Sequence, residues 1–382
     1  MTSKPFHLLL VSLAILLLRD THAEVAPIPG PPPIAAKAYL LMDANSGRVL
    51  AEQNADERLE PASLTKIMTA YITFNELANN KLQLDDMAQI SEKAAKAEGS
   101  RMFAEPGSAV AIENLVKGMI IQSGNDASIA LAERISGDET AFAELMNATA
   151  ARLGMPNTHY VNSMGLPDPN HFTSARDVAV LTRALIAEFP AYYKWHAMKE
   201  FAYNNIKQPN RNRLLWLDPT VDGVKTGHTE GAGYCLVASA VRNNMRLISV
   251  VMGTTSDKAR ASTNAELLNY GFKYYETRPL YKGQVKLTDA HVWKGTESLV
   301  PAGLKQDFYV TFPRGQYDSL KASMEVDNKS VAPVQAGDKL GDVKVSFNNE
   351  VIAHEDLVAL ERVEKGGIFK RLFDEIAMQI KK

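Results

Sequence analysis

The order in which hydrophobic periodicity changes along the chain narrows the fold most. Tyr39-Leu-Leu-Met42 and Val49-Leu-Ala51 are short apolar runs flanking Asn45-Ser-Gly47, which reads as a hairpin turn. From Ser63 the period lengthens, and Leu64, Ile67, Met68, Tyr71 and Ile72 share one helical face. Helical patterns continue over 112–121, 128–135, 139–153 and 175–188. Strand-like runs return at 233–241 and 247–252 across the polar turn Arg242-Asn-Asn244, followed by a helix over 261–270. Strands at both ends with helices between predict an α+β domain: an antiparallel sheet assembled from the two ends, with helices packed against it.

A second texture begins after Tyr275. Phe308-Tyr-Val-Thr-Phe312, Leu320/Ala322/Met324/Val326 and Val343/Val345/Phe347 alternate apolar with polar positions, as half-buried strands do. Residues 277–364 are therefore expected to form a small, separate all-β domain. After Gly366-Gly367, Ile368, Phe369, Leu372, Phe373, Ile376 and Ile380 fall on one helical arc, opposite Lys370, Arg371, Asp374 and Glu375. Five basic and two acidic residues lie from Lys365 to Lys382. Residues 365–382 are expected to form an amphipathic, mildly basic helix lying on a membrane surface. The plainer alternative is a helix docked on its own domain or on another chain.

At the other end, Lys4 precedes an apolar stretch from Leu8 to Leu18, broken by Ser12 and too short to span a bilayer. Thr21-His-Ala23 then offers small residues for cleavage, so residues 1–23 read as an export signal. A proline-rich leader, residues 26–33, opens the main domain, taken as residues 24–276. The net charge of −2 gives no reason to expect a nucleic-acid partner. The single cysteine, Cys235, excludes an intramolecular disulfide and sits in an apolar run as a small hydrophobe. An exported chain without disulfides fits a bacterial envelope better than a disulfide-stapled secreted domain.

Three short polar motifs then occur in one order: Ser63-Leu-Thr-Lys66, Ser123-Gly-Asn125 and Lys225-Thr-Gly227. The first and third patterns occur once each; Ser346-Phe-Asn348 also fits the middle one and is read as chance. Singly they are bland: a helix cap, a surface lysine, a turn with Asp126 as cap. Together they supply the parts of a serine acyl-transfer site. A serine hydroxyl needs a base, and Lys66, one helical turn on, is the candidate. An ordinary lysine has a pKa of about 10.4, so a base near neutrality needs desolvation or a second cation, which Lys225 could provide. Ser123 can relay a proton, and Asn125 can hold both a lysine and a substrate carbonyl. Lys225 and Thr226 suit a carboxylate, and Gly227 permits close approach to the backbone. A strand there can align a peptide by β-augmentation. The backbone N–H groups of His228 and Ser63 would make an oxyanion hole, each donor worth about 3–4 kcal/mol. No His–Asp pair replaces Lys66, no metal-binding motif is present, and no cofactor is expected.

These motifs resemble the active site of penicillin-recognising serine enzymes. The chain from about residue 30 to 382 is similar to the D-alanyl-D-alanine carboxypeptidases among low-molecular-mass penicillin-binding proteins. Pro61-Ala-Ser-Leu-Thr-Lys66, Gln122-Ser-Gly-Asn-Asp-Ala127, Val221-Asp-Gly-Val-Lys-Thr-Gly-His-Thr229 and Asn210-Arg-Asn212 read like that family's segments. The resemblance implies a β-lactamase/transpeptidase-like fold and removal of the terminal D-Ala from peptidoglycan pentapeptide stems. Ser63 would form an acyl-enzyme that water releases with help from Lys66 or Ser123. β-Lactams would acylate Ser63 and leave slowly. Arg260, in Lys258-Ala-Arg260, would help hold the substrate carboxylate, although Thr254-Thr-Ser256 beside it departs from the family pattern. The implied location is the periplasmic face of the bacterial inner membrane.

Two other functions compete. A class A β-lactamase usually has Ser-Asp-Asn in the middle and Glu-x-x-Leu-Asn before K-T-G. This chain has Ser-Gly-Asn, and its nearest counterpart, Ala265-Glu-Leu-Leu-Asn269, misses the spacing and follows Lys225. A non-catalytic envelope-binding protein on the same fold would not need Ser63 and Lys66 intact.

Overall fold

A computed structural model describes residues 28–380. The export-signal segment, with Lys4, Leu8 to Leu18 and Ala23, lies outside the described residues. From Pro31 onward the chain is one compact unit.

β1 (Ala38–Asp43) and β2 (Val49–Gln53) form the first hairpin, turned at Gly47 with φ +74°. The helical middle follows: α1 (Lys66–Ala78), α2 (Ile112–Lys117), α3 (Asn125–Ser136), α4 (Glu139–Leu153) and α5 (Ala175–Glu188). β3 (Val221–Thr229), β4 (Gly233–Arg242) and β5 (Met245–Thr254) lead into α6 (Asp257–Tyr274). The main sheet runs β2-β1-β5-β4-β3, every pair antiparallel. Strands from the two ends of the domain meet at β1 and β5, where Leu40 faces Val250. The expected α+β architecture is met. β3, which carries Lys225-Thr226-Gly227, is an edge of this sheet.

α1 departs from the amphipathic expectation. Thr69, Ala70 and Thr73, off the anticipated face, are buried along with Ile67, Met68 and Phe74. The helix runs through the core, so the polar groups must be paired. Thr73 donates to its own helix at Thr69 O (2.8 Å), and Thr69 donates to Ser163 O (2.7 Å). Each fully buried Ile, Met or Phe contributes about 1.5–3 kcal/mol, which makes α1 a rigid mount for what its first turn carries.

Two other segments differ from the sequence pattern. The helix expected over 112–121 is α-helical only to Lys117, then widens into a π-turn over Gly118–Gln122 that ends at Ser123 with φ +67°. α3 begins at Asn125, three residues before the expected start, so the middle motif stands at its N-terminus.

The C-terminal half holds a second core that includes Val300, Phe308, Phe312, Val343 and Val345. β6 (Tyr275–Tyr281) pairs with β9 (Phe308–Pro313). The other strands are β7 (Lys286–His291), β8 (Leu299–Leu304), β10 (Leu320–Val326), β11 (Lys339–Phe347) and β12 (Glu350–Ala359). They form a second antiparallel sheet in the order β7-β8-β12-β11-β10. The alternation of 320–326 buries its apolar face only at the ends: Leu320 and Val326 pack partly against the second core, while Ala322 and Met324 between them are exposed. Asp43 and Ser46 of the first hairpin bond Thr277 (2.7 Å) and Thr311 (2.6 Å), and those threonines bond each other (2.7 Å). α7 (Ile368–Ile380) closes the described chain.

The turn bearing Ser63 is crossed by the loop 162–166. Asn162 Oδ1 accepts from the backbone N–H groups of Met164, Gly165 and Leu166 and sets its shape. Gly165 has φ +92°, and a Cβ there would lie 1.8 Å from Ala62 O. Gly165→Ala is therefore expected to cost about 2–3 kcal/mol, seen as a fall of several degrees in Tm by scanning calorimetry.

Candidate active site

The motif Ser63-Leu-Thr-Lys66 folds as a 3₁₀ turn over Ala62–Thr65 that runs directly into α1. Ala62 sits at φ +47°, a left-handed conformation costing a residue with a Cβ about 1–2 kcal/mol. Packing on two sides holds it there. Gly165 presses from the loop, and Gly227 of β3 from the sheet, where a Cβ would meet Pro61 O at 3.0 Å and Ala62 Cβ at 3.2 Å. Gly227 thus gives the turn bearing Ser63 room against the strand. Thr65 locks the turn internally. Its hydroxyl donates to Ala62 O (2.8 Å) and accepts from His171 Nε2 (2.8 Å). His171 Nδ1 accepts from Val161 N–H (3.1 Å), which fixes the Nε2–H tautomer. Burial pushes the His171 imidazole down to about 4, so it stays neutral.

Lys66 is 1% exposed. Its Nζ lies 2.7 Å from Asn125 Oδ1, 2.6 Å from Met164 O and 3.1 Å from Ser63 Oγ. Asn125 Nδ2 donates to Glu98 O (2.6 Å), so the amide can turn only its oxygen to the lysine. Two of the three partners are therefore pure acceptors, and the Ser63 hydroxyl alone can donate. A neutral amine spends its two N–H bonds on Asn125 and Met164 and directs its lone pair at Ser63. Burial, followed by the nearby Arg211, lowers the Lys66 pKa to about 7. Arg211 is one cation that helps depress it, and Lys66 and Lys225 repel each other across the site.

The middle and third motifs meet on the other side of the cleft. Lys225 Nζ donates to Ser123 Oγ (2.9 Å) and to Thr226 O (2.9 Å). Burial, then Lys66, Arg211 and Arg260, hold the Lys225 ammonium well below the usual lysine range. Asp126 is not the cap of α3, which begins before it at Asn125: its carboxylate accepts from the backbone N–H groups of Met102, Phe103 and Ala104 (2.9–3.2 Å), pinning the loop beside Asn125.

These groups line or underlie a cleft of about 830 Å³. Ser63, Ser123, Thr226, Gly227, His228 and Arg260 all reach its wall. The His228 ring is exposed and stacks 4.0 Å from Tyr234. Sequence reasoning did not single out Arg211 by itself, although it lies inside Asn210-Arg-Asn212. Asn210 Oδ1 accepts from Asn212 N (2.9 Å) and Asn212 Nδ2 donates to Gly223 O (2.8 Å), fixing that segment beside β3. Met164 went unseen because it contributes only a carbonyl. Cys235 is buried, its thiol pushed up to about 11 by burial, as befits a packing residue.

The arrangement can do acyl transfer: a half-buried hydroxyl, a base poised near neutrality, a second hydroxyl on a second amine, and a cationic wall. Comparison with known proteins agrees. A family model described as D-alanyl-D-alanine carboxypeptidase matches residues 25–256, and one described as penicillin-binding protein 5, C-terminal domain, matches residues 275–365. The D-alanyl-D-alanine carboxypeptidase DacC of Escherichia coli is 45% identical over 356 residues, covering 91% of this chain and 89% of that protein. The crystal structure of penicillin binding protein 5 from Haemophilus influenzae superposes with a TM-score of 0.83 at 40% identity, covering 88% of this chain and all of that one. Penicillin-binding protein D2 of Listeria monocytogenes, solved in an ampicillin-bound form, superposes at 0.59 with 28% identity over 64% of this chain and all of that one.

A base must be uncharged to accept a proton, and Lys66 is mostly protonated below about pH 7. Acylation of Ser63, followed by stopped-flow with a chromogenic acylating reagent, is expected to rise through about pH 7 and level off above it. Arg211→Gln removes a depressing charge and should move that limb to higher pH.

Proposed function

The chain belongs to the D-alanyl-D-alanine carboxypeptidase family, and on that premise we propose that it removes the terminal D-alanine of peptidoglycan stem pentapeptides through a Ser63 acyl-enzyme. The observation that carries this reading is the Lys66 amine 3.1 Å from Ser63 Oγ, with its remaining partners restricted to acceptors. Residues 24–276 would carry the reaction, with 277–364 a β domain and 365–382 an anchor.

The stem peptide lies along β3, whose edge position leaves it open to an added strand. Lys66 takes the Ser63 proton as Oγ attacks the carbonyl of the penultimate D-alanine. The backbone N–H groups of Ser63 and His228 receive the oxyanion. The proton returns to the leaving amine through Ser123, hydrogen-bonded to Lys225. The C–N bond breaks, D-alanine departs, and water hydrolyses the ester with Lys66 or Ser123 as base. Thr226 faces the terminal carboxylate, Gly227 lets the peptide approach the strand closely, and Arg260 braces that strand from behind through Gly227 O. Asn125 orients Lys66 first. One of its amide protons is committed to Glu98 O, which leaves the other for a substrate carbonyl.

A β-lactam would enter the same chemistry, a reading supported by the ampicillin-bound form of the Listeria monocytogenes protein, but its leaving amine stays tethered. Among the described residues lining the cleft, the one carboxylate is Asp257, and it is paired with Arg213 and Arg260. Glu266, in the stretch nearest a β-lactamase signature, is exposed on α6 and does not line the cleft. Among the described residues lining the cleft, no free carboxylate stands ready to hasten deacylation, which favours a carboxypeptidase over a β-lactamase.

The anchor reading is supported by how α7 sits. Lys370 Nζ donates to Ser298 Oγ (2.9 Å), and Asp374 Oδ2 accepts from Lys294 N–H (2.6 Å). The charged face docks on the β domain while Ile368, Phe369, Leu372, Phe373 and Ile376 remain 52–79% exposed. An apolar face held outward by polar bonds fits a bilayer interface. Among the described residues no helix is long and apolar enough to cross a membrane, so attachment would be peripheral, on the periplasmic face of the inner membrane.

Fluorescent penicillin is expected to label the protein covalently and to fail with Ser63→Ala; undiminished labelling of a folded variant contradicts the assigned nucleophile. Turnover of a D-Ala-D-Ala peptide should exceed turnover of penicillin, measured as kcat for each. Deleting residues 367–382 should move the protein from the membrane pellet to the supernatant with peptide hydrolysis retained; continued pelleting would mean that another segment anchors it.

A further inference from the structure

The cationic wall of the cleft contains a group that the three motifs do not include. Arg260 is a poor two-pronged receiver for a carboxylate in this structure. Its Nη1 donates to Gly227 O (3.0 Å) and Cys235 O (3.4 Å), and its Nη2 donates to Asp257 Oδ1 (2.5 Å). Its side chain is 8% exposed. Arg260 is thus largely spent on fixing β3 and β4 to α6. The other oxygen of Asp257 takes Nη1 of Arg213 at 3.1 Å. Arg213 lines the same cleft, and its side chain is 61% exposed.

We propose that Arg213 is a specificity-determining residue of the carboxypeptidase site proposed above: it meets the terminal carboxylate of the substrate, with Asp257 as its positioning residue. This rests on that reading of the site. Three features support it. Arg213 stands one ion pair away from Arg260, and Arg260 is bonded to the Lys225-Thr226-Gly227 strand, so it lies at the carboxylate end of the cleft. Its guanidinium spends one nitrogen on Asp257 and keeps donors to offer in the fork geometry that fits a carboxylate. Asp257 is the single acidic group among the described residues lining the cleft, and by bridging two arginines it aims one and neutralises part of the charge of both. The cleft then prefers a leaving residue that ends in a free carboxylate over one whose end is blocked as a carboxamide. Arg213 is exposed, so its contribution is screened by salt, whereas the buried Arg260 keeps its structural role throughout.

The test compares an N-acylated D-Ala-D-Ala peptide with the same peptide ending in a carboxamide, by steady-state kinetics on the whole protein. Wild type is expected to prefer the acid. Arg213→Gln should cut the acid-over-amide ratio of kcat/KM about tenfold, the size of a lost charge-assisted hydrogen bond, with the loss residing in KM for the acid. Arg213→Lys should restore part of it, and raising the ionic strength should shrink the difference between wild type and Arg213→Gln. An unchanged ratio in an Arg213→Gln protein that still hydrolyses the acid overturns this inference and leaves the carboxypeptidase reading intact. A wild-type protein that cleaves neither peptide and is not labelled by penicillin overturns both.

Discussion

The site depends on keeping one amine dry. Removing Lys66 from water disfavours its charged form, and the surrounding structure sustains that cost. Every residue of α1 from Lys66 to Phe74 is buried, so even its threonines find partners inside the core. The Met164 carbonyl and the Asn125 amide oxygen must be delivered from separate segments, because no residue near Lys66 in sequence supplies them. Each delivering segment is tied down in turn: Glu98 orients Asn125, Asn162 shapes the loop of Met164, and Glu139 accepts from the Ser163 hydroxyl at 2.6 Å.

Close approach is the second requirement, and glycine meets it on both sides. Gly165 and Gly227 let a loop and an edge strand press on the turn that carries Ser63, from directions that leave its hydroxyl facing the cleft. The same pressure sustains Ala62 in a left-handed conformation that a free chain would abandon. Strain, packing and nucleophile placement are therefore one arrangement.

Periodicity made much of this legible. The hairpin at Asn45-Ser-Gly47, the helices over 139–153 and 175–188, and the closing strands follow from local pattern because those elements are amphipathic or continuously apolar. The three motifs stood out because their side chains are of the types that acyl transfer uses. Other parts were hidden for physical reasons. A carbonyl such as that of Met164 carries no sequence signature. The bond between His171 and Thr65 joins residues far apart in the chain. Asp126 looked like a helix cap because capping residues and loop-pinning residues are the same types. Pattern placed the strand 320–326 correctly but overstated the burial of its apolar face, since alternation does not reveal whether a sheet has anything to pack against on that side.

The backbone of Ser123 carries a lesson for side-chain scanning. At φ +67° it occupies a region where serine and alanine are both uncomfortable and glycine is at ease. Alanine there would remove the hydroxyl and retain the strain, whereas glycine would remove both. Alanine therefore reads the oxygen's contribution with the backbone unchanged, and the difference between the alanine and glycine substitutions reads the energy stored in the chain.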